Sequence, residues 1–168
     1  NLHQLSTGEL LRKEIKDKTN LGKQIESIIN DGNLVSDDVV SDLIKKYLSD
    51  NVYKNRLIFD GYPRNLVQVK NLDNLLKKYD QKINVVLKLS VSLKTIKLRI
   101  SERKNLEQRT DDSEKIAIKR FETYEKNIEP VIEHYKKSNL LTVINGENAI
   151  TKISDEISDL IDGFKGWL

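Results

Sequence analysis

The 168-residue chain carries 29 Lys and Arg against 26 Asp and Glu, a net charge of +3 that gives no bulk attraction to nucleic acid or an anionic lipid surface. At 38% hydrophobic and 33% charged residues, it is polar for a globular protein but rich enough in apolar side chains to fold as one domain. Zero Cys and two His exclude disulfides, thiolate chemistry and cysteine zinc sites, so chemistry must come from carboxylates, hydroxyls, Lys, Arg or backbone amides.

In chain order, "HQLS" reads as a short strand. Ser6 or Thr7 caps a helix through Leu10, Leu11 and Ile15, with Glu9 in its first turn. Leu21, Ile25, Ile28 and Ile29 mark the next helical face, which ends near Gly32. Ser36 and two following acids open a third helix, whose buried stripe is Val39, Val40, Leu43, Ile44, Tyr47 and Leu48. "RLIFD" is a strand, followed by a helix through Val69, Leu72, Leu75 and Leu76. The β-branched, apolar run from Asn84 to Leu89 has the character of a central parallel strand. Two helices follow, from Ser92 to about 103 and from about 113 to Ser138, with Pro130 expected to kink the second. Leu140 to Ile144 is the last strand, and a terminal helix carries Ile150, Ile153, Ile157, Leu160 and Ile161. Strands alternating with helices predict an α/β fold, a doubly wound parallel sheet with helices on both faces and ligands at the carboxyl ends of the strands.

Against that frame "RLIFDGYPRN" (56–65) is unusual. A solvent-facing turn accepts Asp60 and Gly61 readily, but has no need of the bulky Tyr62 or of Arg64 directly after Pro63. A proline inside so tight a strand-end turn predicts a cis Tyr62–Pro63 bond. Of the 29 basic residues only seven are arginine: Arg12, Arg56, Arg64, Arg99, Arg103, Arg109 and Arg120. Where arginine persists in a lysine-rich chain, its planar fork is the group best matched to phosphate oxygens.

Taken together, "STGELLR" (6–12), "NLV" (33–35), "FDGYPRN" (59–65), Gln68, "RISER" (99–103), "RTDD" (109–112) and "KRFETY" (119–124) resemble the adenylate kinase family, in order and over essentially the whole chain. The resemblance implies a nucleoside monophosphate kinase, ATP + AMP ⇌ 2 ADP, using Mg²⁺ with ATP. AMP would be held by Thr7, Arg12, Asn33, Leu34, Val35, Gly61, Tyr62, Pro63, Arg64 and Gln68, with Arg109 and Arg120 contributing. Arg64, Arg99, Arg103, Arg109 and Arg120 would be catalytic; Arg99, Arg103 and Asn148 would meet ATP, with Gly146 allowing close approach. Asp60 would hold Mg²⁺ through water.

The family's AMP-binding region would span 6–35, and 102–112 would be a short lid within a single domain, 1–168. Glu102 stands where the family usually has a small residue. The family also begins with a strand, a GxxGxGK P-loop and a helix that this sequence does not contain, so the chain by itself is expected to fold poorly, bind the monophosphate weakly and lack phosphotransfer. A UMP/CMP kinase shares the scaffold, but Thr7 and Gln68 favour AMP. A non-catalytic nucleotide-binding remnant is the alternative from a different class. No apolar run is long enough to cross a membrane, so a cytoplasmic monomer is the expectation, with no membrane or nucleic-acid partner.

Overall fold

A computed structural model describes residues 2–107 and 114–163, except for the side chains of 103–107 and 114. The order is β1 (His3–Ser6), α1 (Thr7–Lys16), α2 (Asn20–Asn30), α3 (Asp37–Leu48), a 3₁₀ turn (Asn51–Tyr53), β2 (Leu57–Asp60), α4 (Leu66–Lys78), β3 (Val86–Ser90), α5 (Leu93–Glu107), α6 (Glu114–Lys137), β4 (Leu141–Asn145) and α7 (Ile150–Gly163). This is the predicted alternation, and all strand pairing is parallel among the described residues.

Local signals account for most boundaries. Thr19 caps α2 by accepting a hydrogen bond from the Gly22 amide at 2.9 Å. At its far end Gly32 adopts φ +70°, which lets the Gly32 and Asn33 amides reach back to the Ile29 and Ile28 carbonyls. Asn65 caps α4 through the Gln68 amide at 2.8 Å. Ser6 and Ser36 occupy the N-cap positions of α1 and α3, but neither makes a side-chain cap bond. The Thr7 hydroxyl turns instead across to the end of β2. Pro130 lies inside α6, which runs through it.

Among the described residues the parallel strands fall into two pairs. His3 to Ser6 registers with Leu57 to Asp60, and Val86 to Ser90 with Leu141 to Asn145. β3, read from its composition as central, is paired only with β4 among the described residues. Val86 to Lys88 are half-buried and Leu89 is exposed, because the strand's other edge faces a cavity of about 870 Å³.

The larger core gathers Leu5, Leu11, Ile25, Ile29, Val40, Leu43, Ile44, Leu48, Leu72 and Leu76 between α1–α4 and the first strand pair. A second cluster packs Val69, Val131 and Tyr135 against Val86 and Leu141 of the other pair. The helical stripes therefore hold, with one correction. Ile150 is 78% exposed, because it begins α7 beyond the reach of the core and only Ile153 on that helix is buried. Gly22 marks where α1 and α2 meet. A Cβ there would lie 2.0 Å from the Glu14 carbonyl oxygen, so only glycine allows the crossing.

Candidate active site

β2 ends at Asp60, and the chain turns sharply through Gly61 at φ +69° and a cis Tyr62–Pro63 bond, as expected from the sequence. Tyr62 is buried, and its hydroxyl donates to the Gln68 carbonyl at 3.2 Å, pinning the turn to the first turn of α4. That contact accounts for the aromatic residue in the turn. Arg64 is held twice: its Nε donates to the Gly61 carbonyl at 2.6 Å, and its backbone amide donates to Gln68 Oε1 at 2.7 Å. A side chain at Gly61 would place Cβ 2.8 Å from Arg64 Nη2, so this glycine serves both the turn and the folded-back guanidinium.

Burial pushes the Arg64 guanidinium below its ordinary range, and the nearby positive charges of Arg120 and Arg12 push the same way, while Asp60 opposes them. Three arginines from three elements, α1, the β2–α4 turn and α6, thus share one electrostatic neighbourhood at a strand's carboxyl end. Clustered like charges repel, and an anion relieves the repulsion while filling the guanidinium forks. Thr7, at the start of α1, closes the near side, its hydroxyl donating to the Gly61 carbonyl at 3.3 Å. Asn33, Leu34 and Val35 line the same cavity. That loop is tied to α6 by Lys119 Nζ donating to the Asp31 carbonyl at 2.8 Å, and by Gly32, where a Cβ would meet Ile116 at 3.1 Å.

Gln68 is 2% exposed, and its carboxamide is a brace: Nε2 donates to Asp37 Oδ1 at 2.7 Å while Oε1 accepts from Arg64. A carboxamide has two N–H donors and two lone pairs, so one of each remains for a ligand. Asp37, which sequence reasoning treated only as a first-turn acid of α3, accepts from both Gln68 and Asn65 and locks α3 to the arginine turn. No local signal distinguishes it from Asp38, because its partners lie 28 and 31 residues away.

The remaining expected site residues separate into other groups. Asp60 is exposed, and its Oδ2 accepts from Gln4 Nε2 at 3.0 Å. Arg99 lies against the β4–α7 loop, its Nη2 donating to the Gly146 carbonyl at 2.7 Å and to the Asn148 carbonyl at 3.5 Å, away from the three clustered arginines. Gly146 is buried, its amide donating to the Ser90 carbonyl at 2.9 Å, and a Cβ there would meet that oxygen at 3.0 Å. Glu147 was not singled out from the sequence. Its carboxylate accepts from the Thr95 hydroxyl and the Ser92 amide, each at 2.5 Å, latching this loop onto the start of α5. Arg109 and the side chain of Arg103 lie outside the described residues, as do 108–112 of the 102–112 lid.

A parallel α/β molecule that gathers guanidinium groups, a positive-φ glycine and a braced carboxamide at one strand end has the anion-binding apparatus of a nucleotide phosphotransferase. Comparison with known proteins identifies which one. The adenylate kinase family model matches residues 1–140. The chain is 37% identical to an adenylate kinase of Pelagibacter ubique over 96% of its own length and 88% of the relative's. It is 40% identical to one from Azobacteroides pseudotrichonymphae (96% and 85% covered) and 42% identical to one from Prochlorococcus marinus strain MIT 9515 (91% and 81%). The chain belongs to the adenylate kinase family, whose members are nucleoside monophosphate kinases.

Proposed function

We propose that the cluster of Arg12, Arg64 and Arg120 is the acceptor side of the reaction ATP + AMP ⇌ 2 ADP, with AMP as the bound monophosphate. The observation that carries this reading is that Arg12, Arg64 and Arg120 line one cavity beside Asp60 and Gly61, with the charges of Arg120 and Arg12 both bearing on Arg64. Arg12 and Arg64 grip the AMP phosphate and fix its attacking oxygen. Arg120 stabilises charge on the transferring phosphoryl group, a step that needs positioning and electrostatics and no covalent protein intermediate. Gln68 offers its remaining donor and acceptor to the adenine edge, with Thr7 and the 33–35 loop around the base and sugar. Gly61, Tyr62 and Pro63 shape the floor. On the donor side, Arg99, Arg103 and Asn148 are assigned to ATP, and Arg109 to AMP and the transferring phosphoryl group.

Mg²⁺ fits the donor set. Among the described residues no group of three or more His, Asp or Glu could cage a metal, whereas the exposed Asp60 carboxylate at the strand end suits a cation that keeps its waters and takes its other ligands from phosphates. When bound, Mg²⁺ neutralises charge on the phosphate oxygens. No helix among the described residues is long and apolar enough to cross a membrane. A cytoplasmic location and a monomeric state belong to the same proposal.

Calorimetric titration with AMP tests the reading. Saturable 1:1 binding is expected, weaker for CMP and UMP. Arg64→Lys should weaken AMP at least about tenfold, because a point charge cannot reproduce the two-pronged fork. Arg56→Lys, an exposed exchange outside the cavity, should leave it unchanged. Equal affinity of the Arg64→Lys variant and the wild type would remove Arg64 from the site.

A further inference from the structure

Resting on the assignment of the arginine-lined cavity to AMP, we propose that Asp37 is a specificity-determining residue: it holds the Gln68 carboxamide in the one orientation that reads a 6-amino purine and turns away a 6-oxo purine. Gln68 lines the cavity. Asp37 stands behind it at the start of α3, outside the lining, and acts through Gln68 as a positioning residue.

A carboxamide can sit either way round, and the partners at its two ends decide which. The Arg64 backbone amide can only donate, so the atom facing it at 2.7 Å is Oε1. An ionised carboxylate can only accept, so the atom 2.7 Å from Asp37 Oδ1 is Nε2. Asn65 adds a second branch of the same sense. Its Oδ1 accepts from the Gln68 backbone amide at 2.8 Å, which leaves its Nδ2 to donate to Asp37 Oδ1 and Oδ2 at 3.1 and 3.3 Å. The first turn of a helix also favours the negative charge that keeps Asp37 an acceptor. Turning the Gln68 amide over would set donor against donor at Arg64 and acceptor against acceptor at Asp37. Gln68 is buried, so water does not replace either bond.

With that sense fixed, one lone pair on Oε1 and one N–H on Nε2 are left for a ligand. An adenine edge answers both, its exocyclic amino group donating and a ring nitrogen accepting. A 6-oxo purine carries a carbonyl in place of the amino group, so Oε1 would meet an oxygen lone pair. A buried site made for a hydrogen-bonding group rejects the mismatched analogue strongly, because its own polar atoms are then left unpaired. Only an overturned amide could donate to the carbonyl. Of the two bonds that oppose overturning, the one to the Asp37 carboxylate is charge-assisted and the stronger, which makes Asp37 the main lock on the choice of base.

The test is calorimetric titration of the 168-residue chain with AMP and with IMP, which differs from AMP only at the 6-position and in the proton on the adjoining ring nitrogen. The wild type should prefer AMP at least about tenfold. Asp37→Leu should cut that preference at least about fivefold. Asp37→Asn should keep it, because an amide oxygen in the place of Oδ1 can accept from both Gln68 and Asn65. Asp38→Leu removes the exposed neighbouring acid of the same helical turn and should keep it too, which separates the lock from a general effect of charge at the end of α3. NMR of the ligand-free chain supplies a second reading: one Gln68 side-chain N–H should lie downfield and exchange slowly in the wild type and the Asn variant, and lose both properties in Asp37→Leu. Equal affinity of the wild type for AMP and IMP overturns the proposal, as does a Gln68 amide with no slowed proton, and neither measurement needs a variant that folds. A preference unchanged in Asp37→Leu, or lost equally in Asp37→Asn, also overturns it. In each of these cases AMP still binds and the assignment of the arginine cluster stands; a wild type that binds no AMP refutes that assignment and takes this proposal with it.

Discussion

Replacing Gln68 with leucine is the sharpest test of how the site is held together. The side chain is buried, of nearly the same size as leucine, and makes two hydrogen bonds, one to the Asp37 carboxylate at 2.7 Å and one from the Arg64 amide at 2.7 Å. Leucine removes both partners and leaves a carboxylate oxygen and a backbone N–H short of one bond each. A bond to a charged group contributes about 1.5–3 kcal/mol and a neutral one about 1, so the loss is about 3 kcal/mol after the added apolar contact of leucine is credited. With a urea m-value of about 2 kcal/mol/M, the midpoint of unfolding should fall by about 1.5 M. Because the same bond fixes the Arg64 backbone, AMP affinity should fall in parallel. Equilibrium urea unfolding followed by circular dichroism reads the first effect and calorimetry the second. A midpoint within about 0.3 M of the wild type, well below the expected shift, would show that Gln68 is not the brace that its geometry indicates.

Three further outcomes follow from other parts of the molecule. Gly22→Ala should destabilise the chain by about 2 kcal/mol or more, since overpacking against the Glu14 backbone outweighs the roughly 1 kcal/mol gained in helix propensity, and a neutral or raised melting temperature would refute the close α1–α2 crossing. Bonds from the Thr95 hydroxyl and the Ser92 amide hold the Glu147 carboxyl below its ordinary range. Its contribution is therefore complete above the unfolded value of 4.5 and is lost as pH falls through the lower folded value; Glu147→Gln should flatten the acid limb of the stability profile, and an unchanged limb would contradict the latch. Burial pushes the Tyr135 phenol up, and its hydroxyl lacks a partner among the described residues, so Tyr135→Phe should stabilise the chain by about 1 kcal/mol; destabilisation of that size in thermal unfolding would reveal an unseen bond.

What the sequence by itself determined was everything carried by near neighbours. The strand-helix alternation, the positive-φ stop at Gly32, the buried stripes of α3 and α4, and the turn from Asp60 to Arg64 all follow from residue types a few positions apart. The family resemblance was equally legible, because it rests on motifs of side-chain chemistry in a fixed order, and the family match bears it out. The tertiary structure alone decided which arginines meet. Arg12, Arg64 and Arg120 share one charge environment while Arg99 is engaged by the Gly146 carbonyl, a division that no spacing along the chain encodes. It also gave Asp37 and Glu147 their roles through partners 28 to 55 residues away, exposed Ile150 despite its place in an apolar stripe, and divided the strands into two pairs around a cleft. Backbone propensity acts over a turn or a strand, whereas edge pairing, charge clustering and helix crossings depend on which distant surfaces remain to be covered once those local elements have formed.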